Sequence, residues 1–76
     1  MQKWEYLIVT LSETAEGWKP RYTKGQELDD WENGPTSHEF MDKLGGVGWE
    51  CFDVEITRDS ADHILSYWMY FKRPKS

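Results

Sequence analysis

The sequence predicts an α+β protein in which a small, mainly antiparallel four-stranded sheet packs against one short helix, in the order β-β-α-β-β. Four segments are rich in aromatic and β-branched residues, and one segment combines a capping motif with an apolar stripe. The length of 76 residues allows one domain, predicted over residues 1–76. A domain this small buries only about 60% of the surface that its unfolded chain exposes, so it needs an efficient core or a partner.

The first two strands are predicted over residues 3–11 and 18–23. The first contains a β-branched run from Ile8 to Thr10, and neither of its faces is plainly polar, which is typical of a strand covered on both sides. Pro20 lacks an amide hydrogen and therefore restricts the second strand to a sheet edge. The acidic segment that follows predicts a solvated loop.

The helix is predicted to begin at Thr36 or Ser37. Thr36 and Glu39 have the spacing of a capping box, in which each side chain satisfies a backbone amide of the first turn. Gly45 and Gly46 are predicted to end the helix, because glycine accepts the left-handed conformation of a helix C-terminus. Apolar side chains recur on one stripe of this segment, at Phe40, Met41, Leu44 and Val47.

The last two strands, over residues 49–57 and 64–72, are predicted to form a hairpin. If their apolar side chains are to share the core face, the loop between them must contain an even number of residues. The predicted core pairs are Ile56 with Leu65, Val54 with Tyr67, and Phe52 with Met69. On the opposite face the predicted pairs are Asp53 with Trp68, Cys51 with Tyr70, and Trp49 with Lys72, the last as a cation–π contact.

One helix of about ten residues can cover only one face of this sheet. The other face is predicted to expose a larger apolar patch than a monomer normally leaves in water. Four occupants are candidates to cover it: a second copy of the chain, another protein, a ligand, or the chain's own segment 12–35. The predicted interaction face consists of Trp4, Tyr6, Ile8, Trp49, Ile64, Trp68 and Tyr70, with Cys51 beside them.

The charge and the cysteine content indicate which binding partners and which cellular location to expect. Nine basic residues against 14 acidic ones give a net charge of −5, which disfavours binding to nucleic acid. Cys51 is the only cysteine, so the chain forms no internal disulfide, and a reducing, cytoplasmic location is expected. The N-terminus lacks the apolar stretch of a signal peptide, and the longest apolar run, 67–71, is far shorter than the roughly 20 residues of a membrane span. No membrane association is therefore expected.

No set of catalytic residues stands out in the chain. Cys51 has no histidine on its own predicted strand, so a structural thiol is favoured over a nucleophile. The best candidates for metal ligands are Asp59, Asp62 and His63. They do not supply the three firm ligands that a metal site needs. The sequence therefore predicts no enzyme activity, no metal and no cofactor; an enzymatic alternative would rest on these three turn residues with a metal.

Three short blocks resemble a known family. They are Lys3-Trp4-Glu5-Tyr6, Leu44-Gly45-x-x-Gly48-Trp49-Glu50 and Phe71-Lys72-Arg73-Pro74. Together they resemble the small prokaryotic proteins catalogued as domain of unknown function 4177. The resemblance implies a small α+β domain and carries no activity with it. The chain departs from the family pattern in its long acidic insertion and in Cys51.

These observations predict an interaction module of the cytosol that self-associates, as a dimer, or binds another protein through its open aromatic sheet face. The alternative is a binder of a small ligand or of single-stranded nucleic acid on the same face. Alternating aromatics between residues 67 and 71 allow base stacking, although few basic residues accompany them.

Overall fold

One antiparallel sheet and one α-helix make up the structure, a computed structural model that describes residues 1–75. In chain order its elements are β1 (Trp4–Thr14), β2 (Gly17–Thr23), β3 (Gln26–Glu27), a 3-10 turn (Trp31–Asn33), α1 (Ser37–Gly46), β4 (Glu50–Arg58) and β5 (Ile64–Pro74). The strands lie in the order β3-β2-β1-β5-β4. The predicted α+β class, with one helix and an antiparallel sheet, is confirmed for these residues.

The sheet has five strands where the sequence predicts four, because Gln26 and Glu27 add a short strand beside β2. Lys24 and Gly25 form the two-residue turn between these strands, with φ angles of 51° and 80°. Two successive residues with positive φ are typical of a type I′ hairpin turn. The sequence signal is weak because such turns favour Asn-Gly or Asp-Gly, whereas lysine rarely adopts positive φ.

The helix α1 begins where the capping box predicts. The Thr36 hydroxyl accepts a hydrogen bond from the Glu39 amide at 3.2 Å, and the Glu39 carboxylate accepts one from the Thr36 amide at 3.0 Å. The helix ends at Gly46, as predicted, but neither Gly45 nor Gly46 has the left-handed conformation expected of the residue that ends it. The left-handed residue is instead Gly48, with a φ of 93°. Within residues 1–75 no helix combines the length and apolarity that a membrane crossing requires.

The buried core lies between α1 and the two central strands. Its members are Leu7, Val9, Leu11, Met69 and Phe71. From the predicted helix stripe, Phe40 and Leu44 pack against this core, whereas Met41 is partly exposed and Val47 largely exposed. The core side chains of β1 and β5 are odd-numbered and lie opposite one another. The even-numbered side chains of both strands therefore point away from the helix.

A β-bulge in β4 changes the register that the sequence predicts. Cys51 pairs with Phe71 and Asp53 pairs with Tyr70, so Phe52 is an extra residue between two successive pairs. All the predicted pairs of this hairpin are wrong: from Asp53 to Ile56 the register is shifted by two residues from the turn end, and the bulge at Phe52 changes it again beyond that. On the helix side Val54 pairs with Met69 and Ile56 with Tyr67, but Val54 and Ile56 are each 45% exposed and lie outside the buried core.

A second irregularity lies at the far end of the same hairpin. Arg58 pairs with Ile64, and the neighbouring pair joins Thr57 to Ser66, so Leu65 is an extra residue in β5. The loop 59–63 is odd in length, contrary to the parity argument. An even loop follows only from regular alternation in both strands, and each strand here contains one bulge.

Candidate interaction face

The side of the sheet that points away from α1, here called the open face, carries aromatic side chains from four strands. Its members are Trp4, Tyr6, Ile8, Thr10 and Ser12 of β1, Tyr22 of β2, Phe52, Asp53 and Glu55 of β4, and Ser66, Trp68, Tyr70 and Lys72 of β5. Tyr6 is 60% exposed, Ile8 40% and Trp68 38%. Residues 12–35, one of the candidate covers, thus leave this face uncovered. Part of that segment extends the sheet, and Trp18 packs on the helix side with its ring centroid 4.6 Å from that of Tyr67.

Most of the predicted interaction face lies on this surface, but two residues do not. Trp49 packs against the core on the helix side, where its amide donates a hydrogen bond to the Leu44 carbonyl at 3.0 Å. Ile64 pairs with Arg58 beyond the β5 bulge and so falls outside the alternation of that strand. Cys51 also packs against the core. The predicted residues that lie on the open face are Trp4, Tyr6, Ile8, Trp68 and Tyr70.

Phe52 is the member of the open face that sequence reasoning assigns to the wrong side. The bulge turns both Phe52 and Asp53 toward the face of Tyr70, because two residues of the bulged strand oppose one residue of its partner. No signal in the alternating pattern shows which residue is the extra one. The sequence does not assign Tyr22 to this face for a different reason. A bulge at Arg21 shifts the alternation of side chains between the two faces along β2.

Phe52 completes an aromatic cluster at one end of the open face. Its ring centroid lies 6.1 Å from that of Tyr6 at an interplanar angle of 73°, and 6.4 Å from that of Tyr70. The Lys72 ammonium lies 4.7 Å from the Trp4 ring centroid and 5.5 Å from that of Phe52. Such edge-to-face and cation–π geometries fix the rings in a defined arrangement.

The predicted contact between Trp49 and Lys72 does not form, because the two side chains lie on opposite sides of the sheet. Trp49 is instead covered by the Arg73 guanidinium, 4.3 Å from its ring centroid. Arg73 is held in place by the Glu5 carboxylate at 2.7 Å and by the Val47 carbonyl at 3.1 Å. This cluster belongs to the helix side and joins β1, β5 and the end of α1.

Beside the aromatic cluster the open face is concave, with a groove of about 700 Å³ that runs along β1. Trp68 of β5 forms one wall, and Tyr22 and Lys24 form the other, since β1 lies between β5 and β2. Ile8 and Thr10 form the floor, and Thr10 is only 8% exposed although it points away from the helix. The groove is thus deep enough to enclose a side chain at its base.

Charged side chains of opposite sign flank the apolar part of the open face, on β4 and at the end of β2. The acidic margin is β4, with Asp53 and Glu55, and the Tyr70 hydroxyl donates a hydrogen bond to the Glu55 carboxylate. That hydrogen bond raises the pKa of Tyr70 above its ordinary value, with burial and the charges of both carboxylates adding to the effect. Lys24, at the end of β2, is an exposed basic residue at the rim of the groove; beyond it β3 carries Glu27, the cross-strand partner of Tyr22, which pairs with Arg21 at 2.8 Å.

The turn residues of the enzymatic alternative have structural contacts of their own. One Asp59 carboxylate oxygen accepts hydrogen bonds from the amides of Ala61 and His63, both at 2.9 Å. These amides, that of His63 first, lower the pKa of Asp59. Asp62 lies 3.7 Å from the Arg58 guanidinium. Among residues 1–75 no three His, Cys, Asp or Glu side chains are grouped so that they would hold a metal ion.

The molecule is thin and extended for its mass. Its principal extents are 45 × 27 × 19 Å, and its Cα radius of gyration is 13.3 Å, against about 11 Å for a compact domain of this length. Its accessible surface of 5523 Å² exceeds the roughly 4,900 Å² of a monomer of this mass by about 600 Å². A sheet covered by a helix on one side only has this shape.

No protein-family model, no curated protein and no solved structure matches this chain. The resemblance to domain of unknown function 4177 therefore stays a prediction. What the chain does has to be argued from the open face itself.

Proposed function

We propose that this protein is a cytoplasmic interaction module that self-associates through its open face. The observation that carries the proposal is the uncovered apolar surface, on which Tyr6, Ile8 and Trp68 each expose more than a third of their area. Monomeric proteins rarely leave a contiguous aromatic surface of this kind in water. Tyrosine and tryptophan are also the residues that contribute most binding energy at protein interfaces.

The size of the molecule supports a second copy as the occupant. Its excess surface of about 600 Å² is close to the roughly 800 Å² that each partner buries in a standard interface. The apolar area that is buried per residue in the monomer is small, since only five apolar side chains form the buried core. Burial of the open face in a dimer would supply the second half of a sandwich core.

Sedimentation equilibrium of the wild type, Trp68→Asp and Val47→Asp tests the proposal. Trp68→Asp places a charge at the centre of the open face, and we expect it to be monomeric at concentrations where the wild type is dimeric. Val47→Asp makes the same kind of change at a more exposed apolar residue on the other side, and we expect it to stay dimeric. A wild type that is monomeric at millimolar concentration contradicts the proposal.

A second candidate function is the binding of a small apolar ligand, which the groove along β1 favours. Its volume of about 700 Å³ lies within the range of ligand sites, and its walls are largely aromatic and aliphatic. Titration of the wild type with the dye 8-anilinonaphthalene-1-sulfonate checks this candidate. Saturable binding at one dye per monomer that Thr10→Trp abolishes supports it, and a flat response in a folded monomer contradicts it.

Binding of single-stranded nucleic acid on the same face has less support. Base stacking on Trp68 and Tyr70 is sterically open, but the neighbouring carboxylates of Asp53 and Glu55 repel phosphate. Tryptophan fluorescence during titration with short oligonucleotides at low salt measures this directly. An unchanged signal excludes it.

A further inference from the structure

Four residues form one straight row across the open face, with opposite charges at its two ends. Asp53 and Tyr70 are cross-strand partners, and Tyr70 is also the partner of Ile8. The Lys24 amide donates a hydrogen bond to the Ile8 carbonyl at 3.2 Å, so Lys24 lies level with Ile8. Three strand spacings, about 14 Å, separate the backbone of Asp53 from that of Lys24, and the two side chains form no ion pair within one chain.

We propose that two copies of the chain stack open face to open face about a two-fold axis that runs along the strands between β1 and β5. This inference rests on the proposed function and specifies its geometry. A rotation about that axis places β5 of one copy over β1 of the other and β4 over β2, and it leaves β3 outside the overlap. Asp53 of each copy then lies opposite Lys24 of the other, and the interface carries two equivalent ion pairs.

The same rotation makes the shape of the face complementary to itself. It places β5 of one copy over β1 of the other, and therefore places Trp68 above the floor of the groove at Thr10. Each groove thus receives the indole of the opposite copy between its own Trp68 and Tyr22. Tyr70 lies above Ile8 in the next row, so aromatic rings meet aliphatic side chains and small residues.

Edge-to-edge pairing through β4 is the main competing arrangement, and its charges oppose it. β4 is the long free edge of the sheet, and an antiparallel pair of β4 strands would bring acidic side chains of the two copies together, for example Glu50 opposite Glu55 or Asp53 opposite its own copy. Like charges that face each other across strands are destabilising. The bulge at Phe52 also interrupts this edge, and bulges are a common protection against edge pairing.

Two charge reversals, Asp53→Lys and Lys24→Asp, test the geometry by analytical ultracentrifugation at low salt. In either variant alone, like charges meet twice, and we expect the dimer dissociation constant to rise at least about tenfold. In an equimolar mixture each heterodimer contains two restored pairs, and we expect the dissociation constant to return to within about threefold of the wild type. Asp tolerates the left-handed backbone at position 24, where φ is 51°.

Asp42→Lys and Lys43→Asp are the matched controls, because they make the same changes of net charge on the exposed surface of α1. Neither control, alone or mixed, should change the dissociation constant. A dimeric wild type whose two variants are not restored by mixing overturns this geometry while it leaves the self-association proposal standing. A monomeric wild type overturns both. Circular dichroism of each variant confirms that the fold is retained.

Discussion

Lys19 is the most deeply buried charged side chain of the described residues, at 4% exposure. Its ammonium donates a hydrogen bond to the Glu32 carbonyl at 2.9 Å and lies 3.3 Å from the Glu16 carboxylate. Glu32 belongs to the 3-10 turn that precedes the helix. Lys19 of β2 therefore holds the acidic segment before the helix in a fixed position, although the sequence predicts this segment as a solvated loop.

Replacement of Lys19 should weaken the attachment of this acidic segment to β2. We expect Lys19→Met, which keeps the aliphatic stem, to lower the free energy of unfolding by about 1–3 kcal/mol, because the Glu32 carbonyl loses its partner. Urea unfolding of the wild type, of Lys19→Met and of the control Lys43→Met measures the change. The control Lys43→Met, which replaces an exposed lysine of α1, should change the free energy of unfolding by less than about 0.5 kcal/mol. Equal effects of the two substitutions would contradict the anchoring role.

Glu39 makes helix stability depend on pH. Its carboxylate accepts hydrogen bonds from the amide and the hydroxyl of Thr36, and these bonds lower its pKa from the ordinary value of 4.5. Because the folded pKa lies below the unfolded one, the stabilisation is fully present above about pH 4.5 and is lost as the pH falls through the folded pKa.

Thermal unfolding between pH 3 and 7 checks this effect. We expect Glu39→Gln, which keeps an acceptor but cannot ionise, to lack this part of the acid destabilisation. The stability difference between wild type and variant should therefore shrink as the pH falls below 4.5. Asp42→Asn removes a carboxylate of the same helix outside the capping box and is the control. A wild type and Glu39→Gln with parallel pH profiles would refute the assignment.

At the scale of elements, two glycines at the end of α1 have opposite roles although they stand two residues apart. Gly46 is helical, and a Cβ there would meet no atom within 4 Å. Gly48 also has open space around it, but its φ of 93° is unfavourable for any side chain. The sequence predicts a break in the helix at both positions, and only their backbone conformations distinguish their roles.

Alanine substitutions at these positions should therefore change stability with opposite signs. We expect Gly46→Ala to stabilise the protein by about 0.5–1 kcal/mol, since alanine favours the helix and restricts the unfolded chain. Gly48→Ala should destabilise it by about 1 kcal/mol or more. Chemical denaturation of the two variants side by side gives the measurement. Destabilisation by both would mean that the helix ends before Gly46 in solution.

The elements differ in how far the sequence predicts them. The helix start at Thr36 follows from a local motif, because a capping box involves atoms only three residues apart. The strands β1 and β5 follow from their apolar and β-branched composition. Which residues of β4 face the core does not follow, because the bulge at Phe52 depends on pairing with Tyr70 and Phe71, distant in the chain.

At the scale of the whole molecule, the particle shape separates the possible dimers. Stacking through the 19 Å dimension gives a Cα radius of gyration of about 16 Å, whereas joining through the 27 Å dimension gives about 19 Å. We expect small-angle scattering of the wild type to give the smaller value. Trp68→Asp, measured alongside, supplies the monomer reference of 13.3 Å before hydration. A value near 19 Å would favour pairing through the sheet edge.

The open face shows why a local pattern predicts some features and not others. Alternation along β1 and β5 assigns Tyr6, Trp68 and Tyr70 to one side, since that period is a property of each strand by itself. The sequence also predicts that one ten-residue helix leaves a sheet face uncovered, because this depends only on the number and size of the elements.

The tertiary structure alone decides the rest of that face. Three bulges, at Arg21, Phe52 and Leu65, and a type I′ turn set which residues share it, and they bring Asp53 and Lys24 into one row. The bulges depend on how one strand pairs with another, which the sequence of a single strand does not contain. The free energy that selects them is a property of the assembled sheet, and no short stretch of sequence contains it.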